Sequence, residues 1–150
     1  MTTLTPDELA RRCADAMWAE DVASQSLGMT LIDVGPGRAT LSMPVRADMA
    51  NGHGIAHGGF VFALADSAFA FACNTYNERT VAYACDIVFA APSRVGDLLT
   101  ASAVERHRFG RNGVYDIRVV READGDEDAE VVAEFRGRSR TIGGAFVDAE

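Results

Sequence analysis

The chain has no lysine; all 14 of its basic residues are arginine, set against 22 acidic residues for a formal net charge of −8. An acidic chain without a basic stripe is a poor partner for nucleic acid, whose phosphates must be neutralised. Cysteine is scarce as well. Cys13, Cys73 and Cys85 are odd in number, widely spaced and form no C-x-x-C pair, which excludes a zinc knuckle or a disulfide framework. No metal site is therefore expected. The opening residues carry neither a basic stretch nor an apolar one, so no secretory leader is expected; with the unpaired cysteines, a reduced, cytoplasmic setting is the expectation.

What is present is ordinary globular composition, 48% hydrophobic and 24% charged over 150 residues. That suits one domain, residues 1–150, with a sizeable core. Thr5-Pro6-Asp7-Glu8 has the form of a capping box with proline at the first helical position. Leu9, Cys13, Ala16, Met17 and Val22 roughly keep helical spacing behind it, which predicts a helix over residues 6–20. Strands are expected at 27–34 and 38–45 around the turn Gly35-Pro36-Gly37, and at 80–90, 98–108, 113–121 and 129–142. In the last strand, Val131, Ala133 and Phe135 should share one face, with Glu134, Arg136 and Arg138 on the other. Asp124-Gly-Asp-Glu-Asp128 reads as a polar hairpin tip. As a calcium loop it fails, with Ala129 where glycine is needed and Phe135 where glutamate is needed.

Residues 60–73, FVFALADSAFAFAC, are apolar nearly all round, interrupted only by Asp66 and Ser67. Such a helix must be buried, yet it is too short to span a bilayer, so no membrane partner is expected. Its many alanines let a sheet approach closely. One central helix wrapped by an antiparallel sheet of five to six strands, with an appended N-terminal helix, is the economical α+β architecture, the hot-dog fold.

A carboxylate in a buried helix is costly unless it is paired or faces a cleft. Asp66 is therefore either a structural partner of an arginine or hydroxyl, Ser67 included, or an acid tuned by desolvation to act as base or nucleophile. The glycine-rich loop Asn51-Gly-His53…His57-Gly-Gly59 leads into the same helix. Unpaired amides in a first helical turn, approachable because the residues are glycines, can form an oxyanion hole; they can also be no more than a tight turn. From Gly58 to Asp66 is eight residues, about 12 Å along one helix. A base and an oxyanion donor must converge within about 3 Å of one reacting group. If both act on one substrate, Asp66 must come from a second copy, and an obligate dimer with composite sites is expected.

These residues resemble the hot-dog thioesterases of phenylacetate degradation, the PaaI type. The likeness runs over residues 27–144. It is densest at Asn51-Gly-His53, His57-Gly-Gly59 and the run from Leu64 to Asn74, and it continues in residues 113–117, 135–139 and 142–144. The resemblance implies hydrolysis of aryl-acetyl-CoA thioesters, such as phenylacetyl-CoA and its hydroxylated forms, in a dimer of dimers, that is, a homotetramer. It implies Asp66 as nucleophile or general base and the Gly58 amide as carbonyl polariser. Asn51 and His57 would position substrate or water, with Gly59 and Ser67 contacting substrate. Coenzyme A is part of the substrate, and no cofactor is implied. Guanidinium forks suit CoA phosphates, so the clusters Arg106, Arg108, Arg111 and Arg136, Arg138, Arg140 are candidates beside a reading as solvated strand faces. His53 is expected in a loop and His107 in solvent. Tyr83, Phe89 and Phe109 could line an aryl pocket, although core packing is the expectation for each. Two rivals stand: a hot-dog enoyl-CoA hydratase or dehydratase using His57 as base, and a non-catalytic acyl-CoA-binding sensor.

Overall fold

The computed structural model describes residues 2–123 and 129–149; the expected hairpin tip at 124–128 lies outside them. Helix α1 (Pro6–Glu20) begins as its capping box dictates. The Thr5 hydroxyl accepts from the Glu8 amide at 3.2 Å, and the Glu8 carboxylate accepts from the Thr5 amide at 2.8 Å. The helix stops at Asp21, whose carboxylate takes the Ser24 amide and starts a second, short helix, α2 (Val22–Ser26). Val22 is thus not on the buried face of α1 but 75% exposed. Leu27 then caps α2 and Gly28 turns the chain at φ 74°, so the first strand opens later than expected, as β1 (Thr30–Gly35).

Strands β2 (Arg38–Pro44), β3 (Thr80–Phe89), β4 (Leu98–Phe109), β5 (Asn112–Arg121) and β6 (Glu130–Thr141) complete one sheet, in the order β1-β2-β4-β5-β6-β3. Every pairing is antiparallel. A single 3-10 turn, Ala47–Met49, precedes the glycine-rich loop.

Helix α3 (Gly58–Cys73) lies in the curve of the sheet, burying Leu64, Ala65, Ala68, Phe69 and Ala72 against Leu41, Leu99, Ala101, Ile117 and Ala133. Small residues set this packing distance. A methyl at Gly137 of β6 would overlap the Phe69 ring, so glycine there lets helix and sheet close up. Truncating Phe69 to alanine would cost about 3–5 kcal/mol. The helix end is tied to the next strand by buried Asn74, whose amide donates to the Ala70 and Thr80 carbonyls while its oxygen accepts from the Thr80 amide.

The β6 alternation departs from expectation at one point. Val119 pairs with Ala133 but Val120 with Val131, so Val132 is an extra, bulged residue. The bulge buries Val132 and Ala133 together and leaves Val131 only half-buried. Strand β3 forms an edge of the sheet, with Val81, Tyr83, Val88 and Phe89 all exposed. Among the described residues, no helix is long and apolar enough to cross a membrane.

Candidate active site

Two cavities flank α3, one at its N-terminus and one at its middle. The first, ≈ 390 Å³, is lined by Asn51, Gly58, Val61, Phe89, Ser93 and Val132, among others. Its geometry starts from the loop. Asn51 Oδ1 accepts from the His53 amide at 2.9 Å and from the Ile55 amide at 3.4 Å. With that oxygen engaged in the turn, the side-chain NH2 is left as a donor. His57 caps α3: its amide donates to the Met49 carbonyl at 2.7 Å, and its Nδ1 accepts from the Gly59 amide at 2.9 Å. The Gly58 amide has no acceptor among the described residues, as expected for an orphan N–H of a first helical turn. With the macrodipole of a 16-residue helix added, this end of α3 carries partial positive charge of the kind that stabilises a developing oxyanion.

The second cavity, ≈ 360 Å³, is lined by Asp66, Phe69, Ala70 and Cys73 from one face of α3, by Thr80, Val81 and Ala82 of β3, and by Met17, Arg79, Ile142 and Phe146. Asp66 is half-buried and makes no ion pair or hydrogen bond among the described residues. Burial alone pushes its carboxyl above the usual carboxylate range. Burial also raises the neighbouring Cys73 thiol to about 12, with the Asp66 charge adding to it, so Cys73 stays protonated and is no nucleophile at neutral pH. The cation lining this cavity, Arg79, lies instead over the Phe146 ring at 4.6 Å. Asp66 is thus a half-buried carboxyl with no ion-pair or hydrogen-bond partner among the described residues.

The expected site residues divide between the two cavities. Asn51 and Gly58 share the first and Asp66 lines the second. Gly59 has its amide committed to His57, and the His57 ring serves as a helix cap. Ser67 lines neither cavity; its hydroxyl meets Ser24 of α2 at 2.9 Å. His53 is exposed in its loop, and His107 is exposed and stacked on Phe109. Tyr83, Phe89 and Phe109 are not core residues, being 49%, 53% and 49% exposed, and Phe89 covers Gly58. Sequence reasoning missed Ser93, buried in the first cavity; a serine after proline in a strand connection carries no signal of its own.

The arginine clusters are largely spent on carboxylates. Arg106 and Arg136 share Asp116, and Arg138 pairs with Asp86 on the outer sheet face. Arg108 meets Glu105 and the Tyr76 ring, Arg111 donates to the Thr141 carbonyl, and Arg140 lies over Tyr83. A larger concavity, ≈ 700 Å³, sits on that outer face; Arg106, Asp116, Arg136 and Arg138 line it, but none of Asn51, His57, Gly58, Gly59, Asp66 and Ser67 does. Among the described residues, no group of three or more His, Cys, Asp or Glu is placed to hold a metal ion.

Comparison with known proteins gives the family and the fold. Residues 53–127 match the Thioesterase superfamily. The chain is 45% identical over 133 residues to the acyl-coenzyme A thioesterase PaaI of Escherichia coli K12, covering 89% of this chain and 91% of that protein. The solved structure of the E. coli PaaI protein from the phenylacetic acid degradation operon superposes with a TM-score of 0.88 at 42% identity, covering 94% of this chain and 99% of the other. A structure of the phenylacetic acid degradation protein PaaI from Thermus thermophilus, a mutant, gives 0.72 at 38% identity, covering 79% and 97%. With a sheet-wrapped helix, an amide-bearing N-terminus and these relatives along most of its length, the chain belongs to the thioesterase superfamily and has the hot-dog fold.

Proposed function

We propose that this chain is an acyl-CoA thioesterase that hydrolyses aryl-acetyl-CoA thioesters, phenylacetyl-CoA and its hydroxylated forms, to free acid and CoA, working as a dimer in the cytoplasm. One observation carries the reading. The Asp66 cavity is walled by residues 80–82 and the Gly58 cavity by residues 89–90, so the two lie at opposite ends of one free edge strand. Antiparallel pairing of β3 with a second copy about Cys85 would set the Val81 end of one strand against the Phe89 end of the other. Each Asp66 cavity would then adjoin the Gly58 cavity of the second copy, removing the separation of about 12 Å that keeps the groups apart within a chain. The pairing would also cover the exposed apolar residues of β3 and occupy its unpaired backbone groups.

In the assembled site the thioester carbonyl accepts from the Gly58 amide, with the Asn51 NH2 beside it. Asp66 of the other chain takes a proton from water as the water oxygen bonds to the carbonyl carbon; the C–S bond then breaks and the proton passes to the departing sulfur. Alternatively an Asp66 oxygen itself attacks, expelling the thiolate and forming a mixed anhydride that water cleaves. Single turnover in heavy-oxygen water, with analysis of Asp66 for label, separates the routes. Neither uses a metal or redox cofactor. The homotetramer implied by resemblance would pair two such dimers, which sedimentation would report.

The hydratase alternative needs a free imidazole lone pair. His57 Nδ1 accepts from Gly59, so in the neutral ring the proton sits on Nε2, which argues against His57 as base. The test is thiol release from phenylacetyl-CoA followed with a chromogenic disulfide. Steady turnover supports the reading; a chain that binds the ester without releasing thiol is a sensor, and one that hydrates an enoyl-CoA is a hydratase.

A further inference from the structure

Ser93 is 2% exposed, and its hydroxyl is the one buried side-chain oxygen or nitrogen without a hydrogen-bond partner among the described residues. The thioester chemistry leaves it unused: Gly58 and Asn51 serve the carbonyl, and Asp66 serves the water. Its backbone is nonetheless held firmly. The Ser93 carbonyl accepts from the Ala56 amide at 2.8 Å, and Arg94 is bridged to Ile55, which fixes Ser93 against the loop carrying Asn51 and Gly58. Around it the same cavity is lined by Ile55, Val61, Phe89, Pro92 and Val132, an apolar surface suited to a ring.

We propose that Ser93 is a specificity residue: its hydroxyl turns into the Gly58 cavity and hydrogen-bonds a hydroxyl carried on the aryl ring of the acyl group. The proposal rests on the thioesterase reading and deepens it by naming the residue that reads the ring hydroxyl of the hydroxylated esters already proposed as substrates. A dry, unpaired hydroxyl is a standing cost that a polar ligand atom removes. Serine has a single side-chain torsion with three staggered wells, so the oxygen can swing from its buried position without moving the backbone. A bare ring offers it nothing. A hydroxylated ring both fills the apolar wall and satisfies the oxygen, and a site built to bond a substrate hydroxyl discriminates against the analogue lacking it.

The test measures kcat/KM for phenylacetyl-CoA and its 2-, 3- and 4-hydroxy derivatives with the wild-type dimer and Ser93→Ala. The ratio of hydroxylated to unsubstituted ester is expected to fall about five- to tenfold in Ser93→Ala for at least one isomer. The variant's Tm should equal or exceed that of wild type, because no satisfied bond is lost. The proposal is overturned if all three ratios move less than about twofold, or if Ser93→Ala lowers Tm as loss of a paired hydroxyl would. Wild-type protein that hydrolyses none of the esters sinks the thioesterase reading and this proposal with it. An active wild type with unmoved ratios sinks this proposal alone.

Discussion

The two cavities flanking α3 are close in size and opposite in chemistry. The one at the helix start offers hydrogen-bond donors, the Gly58 amide and the Asn51 NH2, from backbone and loop that the turn geometry holds in place. The one at mid-helix offers a lone carboxylate in apolar surroundings, its ionisation resisted by burial and met by no cation among the described residues. On the proposed reading each is half of a hydrolytic site, one placed to stabilise a developing oxyanion and the other to handle a proton. The difference teaches that one buried helix can present opposite electrostatics at its start and its middle, and that uniting the two in one reaction, as proposed, takes something outside the helix.

The largest effect should come from the carboxylate side. Asp66→Asn keeps the shape but cannot ionise, and turnover of phenylacetyl-CoA is expected to fall by about 10³-fold in a folded dimer. Turnover near wild type would make Asp66 a structural residue. The sharpest test of two halves in two chains is complementation. Gly58→Val fills the donor cavity, since a β-carbon there already meets the Phe89 ring at 3.0 Å, and should be inactive by itself. Unfolded and refolded together with Asp66→Asn, it should regain about a quarter of wild-type activity: half the dimers are mixed, and each mixed dimer has one intact site of two. No recovery would place the whole site in a single chain. Asn51→Ala should cost less, about tenfold in kcat/KM, because it removes one donor and loosens the turn at His53 and Ile55.

The smallest effects are on pH and stability. On the proposed mechanism the active form is ionised Asp66, so kcat/KM should drop on acidification along a limb lying above the ordinary carboxylate range. The folded pKa exceeds the unfolded one, so the folded state binds the proton more tightly. Ionising Asp66 therefore costs stability as pH rises through the folded value, and that cost is absent at pH below both values. Asp66→Asn should accordingly raise Tm at neutral pH, with the gain shrinking as the solution is acidified; thermal melts across that range check the sign.

Much of this architecture was legible in the chain. The capping box at Thr5, the apolar helix around Asp66 and the glycine turns that separate the strands are local signals, and local hydrogen bonding or burial realises each of them. What was not legible depends on distant partners. Nothing in the first helical stripe says that Asp21 will cap a second helix and strand Val22 in solvent. The bulge at Val132 arises from β5 pairing, not from the β6 sequence. Phe89 reads as core because it is aromatic; it is exposed because β3 lies at an edge. Ser67 stands beside Asp66 in the chain but its hydroxyl meets Ser24 of α2, while Ser93, 27 positions from Asp66, lines the Gly58 cavity.

The unpaired flank of β3 has a consequence for how such a catalyst behaves in a cell. If each working centre needs two polypeptides to meet along that flank, specific activity is a function of abundance. Halving the number of chains near the dissociation constant would more than halve the rate, a built-in threshold that needs no effector molecule.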